Sequence, residues 1–117
     1  MPLDGFVGKR SLLYNVSMNV SLDLYRVLTQ LRSMLPLLRE KHHVQTLEVF
    51  GSYVRGEAGS GSDLDLLVTF DRTPTLFQFV ALENLLSDEL GVKVDLVMKD
   101  SLKPEIGKYI LAEAQVV

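Results

Sequence analysis

This 117-residue sequence contains two aspartates and a glycine-rich loop whose side chains and backbone could bind a ligand or take part in catalysis. Gly51-Ser52 is followed, after ten intervening residues, by Asp63 and then Asp65. Side chains two apart in a strand project from one face, so Asp63 and Asp65 at a strand's start would present two carboxylates side by side. A divalent cation offsets their repulsion, and Mg²⁺ prefers one or two carboxylates together with water and phosphate oxygens. The pattern therefore predicts a site for Mg²⁺ and a nucleotide.

The loop supplies the groups that would hold a phosphate. Gly51 and Gly56 allow the backbone to approach a ligand closely, and the Ser52 hydroxyl can donate to a phosphate oxygen. If residues 53–56 form a helical turn, its free N–H groups point at the same anion. We therefore expect the loop and the two acids to face each other.

Asp95 is a third candidate carboxylate, in a predicted strand beside the one that holds Asp65. Its neighbours Val94 and Leu96 face the opposite side, so Asp95 shares a face with the acidic pair if the register allows. Three acids can hold two metal ions, one activating an attacking hydroxyl and one carrying the triphosphate. Asp95 could also accept the proton of the attacking hydroxyl.

Each of these residues has a simpler explanation. Asp-x-Asp alone is also typical of a turn at the start of a strand. An acid between apolar residues, as at Asp95, is often a solvent-facing strand position. His42 and His43 are adjacent near a helix end and point in different directions, so we assign them no metal.

The elements that must position these residues follow from hydrophobic periodicity and from glycine and proline. We predict an α/β fold in which a small mixed β-sheet is backed by helices. Pro36 is expected to divide the first helical pattern in two, and Phe77 and Phe79 are expected to belong to a core-facing stripe. The predicted helices cover about 22–35, 36–43, 76–90 and 104–114, and the predicted strands cover 46–50, 64–70 and 93–98.

Length and composition limit the classes of protein to which this chain could belong. We expect one domain over residues 21–117, preceded by a loosely held extension over residues 1–20. The net charge of −3 gives no reason to expect nucleic-acid binding. No cysteine is present, and no apolar stretch has the roughly 20 residues needed to cross a bilayer. We expect a cytoplasmic protein that does not enter a membrane.

The combination of Gly-Ser, ten residues and Asp-x-Asp resembles the signature of the DNA polymerase β-like nucleotidyltransferase superfamily. The fuller run GSYVRGEAGSGSDLDLLV, with KVDLV downstream and SLKPEIGKYILAEA near the end, is similar to the minimal nucleotidyltransferases that act as antitoxins beside HEPN-domain toxins. The likeness covers about residues 22–117. Residues 1–20 match nothing in the family, and the loop over residues 59–61 is looser than is usual.

This resemblance implies an activity and a partner that the spacing alone does not reveal. Some members transfer AMP from ATP to a tyrosine of the partner HEPN ribonuclease and so silence it. The resemblance also implies that Gly51 and Ser52 bind the triphosphate and that Asp63, Asp65 and Asp95 bind Mg²⁺. Arg55 lies at the family's basic loop position, where it could contact a phosphate or the partner, or form an ordinary surface ion pair.

Three functions stay open on this basis. The first is adenylylation of a HEPN toxin, and the second is a non-catalytic antitoxin that neutralises its partner by binding. The third is antibiotic modification, which should require a further domain to hold its acceptor. A homodimer or a mixed complex could supply the surface that holds the acceptor, since the apolar last helix offers contact area for a second chain.

Overall fold

The computed structural model describes residues 17–59 and 61–117, with side chains from residue 22 onward. Along the chain lie α1 (Ser17–His42), β1 (Val44–Phe50), α2 (Ser52–Arg55), β2 (Leu64–Phe70), α3 (Leu76–Leu90), β3 (Val94–Met98), a 3-10 turn (Lys99–Ser101), α4 (Pro104–Glu113) and β4 (Gln115–Val116). Of the predicted extension, residues 17–20 belong to α1, and residues 1–16 lie outside the described part of the chain. No helix among the described residues is long and apolar enough to span a membrane.

The four strands form one mixed sheet in the order β3-β2-β1-β4. Strand β2 runs parallel to β3 and antiparallel to β1, and β4 runs antiparallel to β1. Parallel neighbours need a crossover, and α3 provides it between β2 and β3. The predicted small mixed sheet backed by helices is confirmed, with β2 in its interior.

The two faces of the sheet have different roles. Helices α1 and α3 pack on one face, and the core there includes Leu31 of α1, Leu66 of β2 and Leu86 of α3, all fully buried. Because strand side chains alternate, Asp65 lies on the opposite face from Leu66. Elsewhere α4 contacts β1, and the 3-10 turn contacts β2. The acidic side chains thus stand on a face that the main helices leave free.

The predicted break at Pro36 is wrong, because α1 is a single 26-residue helix with Pro36 inside it. Leu31 and Leu38 lie on either side of the proline, and both are completely buried. Burial of a leucine stabilises by about 1.5–3 kcal/mol, so the pair offsets the roughly 3 kcal/mol that an interior proline costs. Pro36 itself is exposed, and the helix continues past it.

The predicted α3 is confirmed at both ends. Thr75 and Gln78 form a capping box, and Gly91 ends the helix in the left-handed conformation. The expectation that Phe77 belongs to the core is wrong, because its side chain is 90% exposed. At 100° per residue Phe77 lies 180° around the helix from buried Leu86, whereas Phe79 lies only 20° from it and contacts the core.

The last strand, β4, has no counterpart among the predicted elements. It has two residues, and its backbone pairs with Glu48 and Val49 of β1. The N–H of Val117 also donates to the Leu47 carbonyl at 2.9 Å. These bonds hold the end of the chain, and with it the end of α4, against the strand that leads into the glycine-rich loop.

Candidate active site

Gly51 connects β1 to the short helix α2 and lies directly against a carboxylate. Its backbone has φ 80° and ψ −151°, a combination that residues other than glycine rarely adopt. A Cβ at this position would overlap Asp65 Oδ2 and lie 3.1 Å from Asp65 Cγ. Glycine is therefore required twice, for the turn and for the contact with Asp65.

Helix α2 is the helical turn expected after Gly51. The Gly51 carbonyl accepts hydrogen bonds from Val54 N–H at 3.0 Å and from Arg55 N–H at 3.2 Å. Tyr53 is buried beneath the turn and joins the main core, while Ser52 is half-buried at its start. Tyr53 thus fixes the turn that presents Ser52.

The strand register brings Asp65 and Asp95 together. Asp65 pairs with Phe50 on its β1 side and with Asp95 on its β3 side. The predicted sharing of a face by Asp65 and Asp95 is thereby confirmed. Asp65 is half-buried and Asp95 is exposed, so Asp95 lies on the open side of the site.

Asp63 lies just before β2, two positions from Asp65. Its Oδ2 is 3.6 Å from Lys93 Nζ, and the adjacent Leu64 N–H donates to the Lys93 carbonyl at 2.8 Å. The Lys93 side chain is 78% exposed, and that of Asp63 is 42% exposed. The loop end is therefore attached to the start of β3 next to Asp95.

The surroundings of Asp65 disfavour its ionised form. Burial raises the pKa of its carboxyl above the ordinary value, and repulsion from Asp95 and Asp63 raises the pKa further. Arg55 acts in the opposite direction. A carboxylate in this setting is stabilised by any cation that approaches it.

Arg55 is bound by two carboxylates, neither of which was singled out from the sequence. Its Nε donates to Glu57 Oε1 at 3.0 Å, and its Nη1 lies 3.1 Å from both carboxylate oxygens of Glu113. Glu113 Oε2 also accepts from Gly51 N–H at 2.8 Å. Hydrogen bonds to Glu57 and Glu113 raise the pKa of the Arg55 guanidinium. Glu113 lies 58 and 62 positions from Arg55 and Gly51. It falls within the run SLKPEIGKYILAEA that resembles the family, but nothing in that run singles it out.

The donor atoms available here suit Mg²⁺, which takes oxygen ligands. Asp65 and Asp95 occupy paired positions of adjacent strands, and Asp63 is two residues from Asp65. Over residues 22–59 and 61–117, however, no three histidine, cysteine, aspartate or glutamate side chains lie close enough together to hold a metal ion. An open set of carboxylates fits an ion that keeps waters and substrate oxygens among its ligands.

Comparison with known proteins shows the family to which the chain belongs. The model of the family described as "Nucleotidyltransferase domain" matches residues 31–117. The protein adenylyltransferase MntA of Thermococcus cleftensis is 54% identical over 76 residues, which are 65% of this chain and 77% of that protein.

Solved structures agree in fold. A minimal nucleotidyltransferase of 36% identity superposes with a TM-score of 0.62 over 86% of this chain and 97% of its own. A chain of 26% identity, from a toxin-antitoxin crystallised with AMP-PNP, gives a TM-score of 0.62 over 73% of this chain and 69% of its own. This chain therefore belongs to the nucleotidyltransferase-domain family, as a minimal nucleotidyltransferase homologous to the protein adenylyltransferase MntA.

Proposed function

We propose that this protein transfers AMP from ATP to a hydroxyl group of a partner protein in a Mg²⁺-dependent reaction. One observation carries the proposal. The Asp65 carboxylate lies against the backbone of Gly51 and pairs in register with Asp95, so loop and acids form one site. A carboxylate set beside a glycine-rich turn is the arrangement that a metal-bound triphosphate requires.

Each residue of the site has a proposed role. Gly51 and Ser52 bind the triphosphate, with Arg55 contributing a positive charge. Asp63, Asp65 and Asp95 hold Mg²⁺, which supplies positive charge opposite the phosphates when bound. The raised pKa of Asp65 supports this, because its burial beside other acids is unfavourable without a cation.

The reaction joins the acceptor oxygen to the α-phosphorus of ATP. As that bond forms, the bond from the α-phosphorus to the bridging oxygen of the β-phosphate breaks, and pyrophosphate leaves. The proton of the acceptor hydroxyl passes to Asp95, the exposed member of the acidic set. Exposure of Asp95 supports this role, because a macromolecular acceptor must reach the base from solvent.

We propose a tyrosine of a HEPN ribonuclease toxin as the acceptor. Similarity to an adenylyltransferase and to a chain of a toxin-antitoxin with AMP-PNP supports a toxin as partner. Helix α4, whose last residue Glu113 contacts the loop, also exposes Ile106 and Tyr109, 58% and 70% accessible, which offer apolar contact area. The HEPN class and the tyrosine follow from the sequence resemblance.

The test is transfer of label from α-³²P-ATP and Mg²⁺ to the co-purified toxin. We expect labelling by the native protein and at least about a hundredfold less by an Asp63→Asn, Asp65→Asn double variant, on the order of what loss of the metal's charge stabilisation costs. Asp88→Asn, the same change at an exposed position of α3, is the control. Equal labelling by the double variant would contradict the metal role, and no labelling by any form would contradict adenylylation.

A second function is favoured by the binding of Arg55 to Glu57 and Glu113. With Arg55 engaged, the protein would neutralise its toxin by covering it, without using a nucleotide. Complete neutralisation by the double variant, with no label on the toxin, would favour this function. A homodimer that completes the site would be detected in the same preparation by sedimentation.

A further inference from the structure

Glu113 is the last residue of α4 and, among the described residues, the only group we find that links this helix to the glycine-rich loop. Its carboxylate accepts one hydrogen bond from the Gly51 N–H at 2.8 Å and two from Arg55 Nη1, each 3.1 Å. The side chain is 23% exposed, so solvent screens these bonds only partly. Glu113 thus places a negative charge inside the loop.

The groups that Glu113 occupies are those to which the proposed function assigns a phosphate. A carboxylate and a phosphate bind a guanidinium and a backbone N–H by the same charge-assisted hydrogen bonds. A backbone N–H carries one hydrogen, so Gly51 cannot donate to Glu113 and to a phosphate oxygen at full strength together. The two anions would also repel each other.

Glu113 is not needed to shape the loop. The turn is closed by bonds to the Gly51 carbonyl and anchored by buried Tyr53. The end of α4 is closed by a bond from Ala114 N–H to the Ile110 carbonyl at 3.0 Å. The Glu113 side chain can therefore leave the loop while both backbone segments keep the hydrogen bonds that close them, and only the Gly51 N–H loses its acceptor.

We propose that Glu113 is a specificity-determining residue that holds the phosphate position in the free protein and is displaced by the triphosphate. It keeps Arg55 and the Gly51 N–H oriented toward an anion, and it lowers the affinity for any nucleotide whose phosphates cannot displace it. The inference rests on the proposed function, because it assumes that the loop binds the triphosphate.

Calorimetry with AMP-PNP and Mg²⁺ tests the inference without turnover. Glu113→Gln keeps the size of the side chain and an acceptor for Gly51 N–H but removes the charge. Because charge-assisted hydrogen bonds are about twice as strong as neutral ones, we expect about fivefold to tenfold tighter binding. Glu105→Gln, the same change in an exposed residue at the other end of α4, should bind like the native protein.

The outcomes separate the two proposals. Native-like or weaker binding by Glu113→Gln, while the native protein binds, would overturn the role of Glu113 alone. No binding by either protein would overturn the nucleotide site and this inference with it.

A second measurement uses the native protein and so does not depend on how a variant folds. With ¹³C-labelled glutamate, we expect AMP-PNP and Mg²⁺ to move the Glu113 carboxylate resonance while that of Glu105 stays in place. An unmoved Glu113 resonance at saturating nucleotide would overturn the displacement.

Discussion

Replacing Gly51 by alanine should destabilise the protein more than the same change at Gly59 or Gly91. The backbone conformation at Gly51, φ 80° and ψ −151°, costs a non-glycine residue about 1–3 kcal/mol. The added methyl would also overlap Asp65 Oδ2, which must move, and overpacking of this kind costs about 1–3 kcal/mol. We therefore expect a loss of roughly 2–6 kcal/mol in the free energy of unfolding.

Alanine substitutions at Gly91 and Gly59 separate the cost of backbone strain from the cost of steric overlap. Gly91 has φ 71°, but nothing lies within 4 Å of the position that an alanine Cβ would take, so Gly91→Ala isolates backbone strain. We expect it to cost about 1–2 kcal/mol. Gly59 has neither a positive φ nor a neighbour within 4 Å, so Gly59→Ala should change stability by less than about 1 kcal/mol.

Urea unfolding of the three variants, monitored by circular dichroism, gives the comparison. The expected order of stability, from highest to lowest, is Gly59→Ala, then Gly91→Ala, then Gly51→Ala. A Gly51→Ala variant as stable as Gly91→Ala would show that Asp65 yields without cost and would refute the steric part of the reasoning. One as stable as Gly59→Ala would refute the strain as well.

Three further predictions concern charge and helix packing. The raised pKa of Asp65 means that its ionised form destabilises the fold, so metal-free Asp65→Asn should be more stable than the native protein at pH 7. The difference should vanish as the pH falls below about 4, where the native carboxyl is protonated in both states. Thermal melts in EDTA across this pH range check the prediction, and equal stability at pH 7 would contradict it. Pro36→Ala should raise the free energy of unfolding, measured in urea, by about 1–3 kcal/mol, since proline inside α1 removes a backbone N–H donor without ending the helix. An unchanged midpoint would mean that the proline costs the helix nothing there. Lys99→Ala should lower the free energy of unfolding by about 1–3 kcal/mol in the same assay, because it leaves Glu48, 8% exposed, without its partner at 2.7 Å. Lys93→Ala breaks a more exposed ion pair and should lower it by less than about 1 kcal/mol. Equal losses would argue against burial as the cause.

Much of the fold could be predicted because its signals are local. The apolar run of β2 predicts a strand, the periodicity of α3 and its closing Gly91 predict a helix, and the structure confirms both. The predictions for Pro36 and Phe77 are wrong for one reason. Whether a proline ends a helix, or a phenylalanine is buried, depends on what packs against that helix, and this is a property of the assembled core.

Strand β4 is too short to be predicted from the hydrophobic periodicity of the sequence. Two residues have no period to detect, and they form a strand only because β1 leaves an edge free beside them. The same pairing holds the end of α4 near the loop. Local patterns therefore predict the helix that carries Glu113 but not the placement of its end against the loop.

The sequence by itself determined the spacing of Gly51-Ser52 to Asp63 and Asp65, the geometry of two carboxylates on one strand and the family resemblance. These depend on covalent neighbours and on the two-residue period of a strand, which need no distant contact. Only the tertiary structure decided that Asp95 stands beside Asp65, because strand register is set by the packing of the whole sheet. The same packing brings Glu113 onto the Gly51 N–H and onto Arg55, an ion pair between residues 58 positions apart that no local pattern encodes.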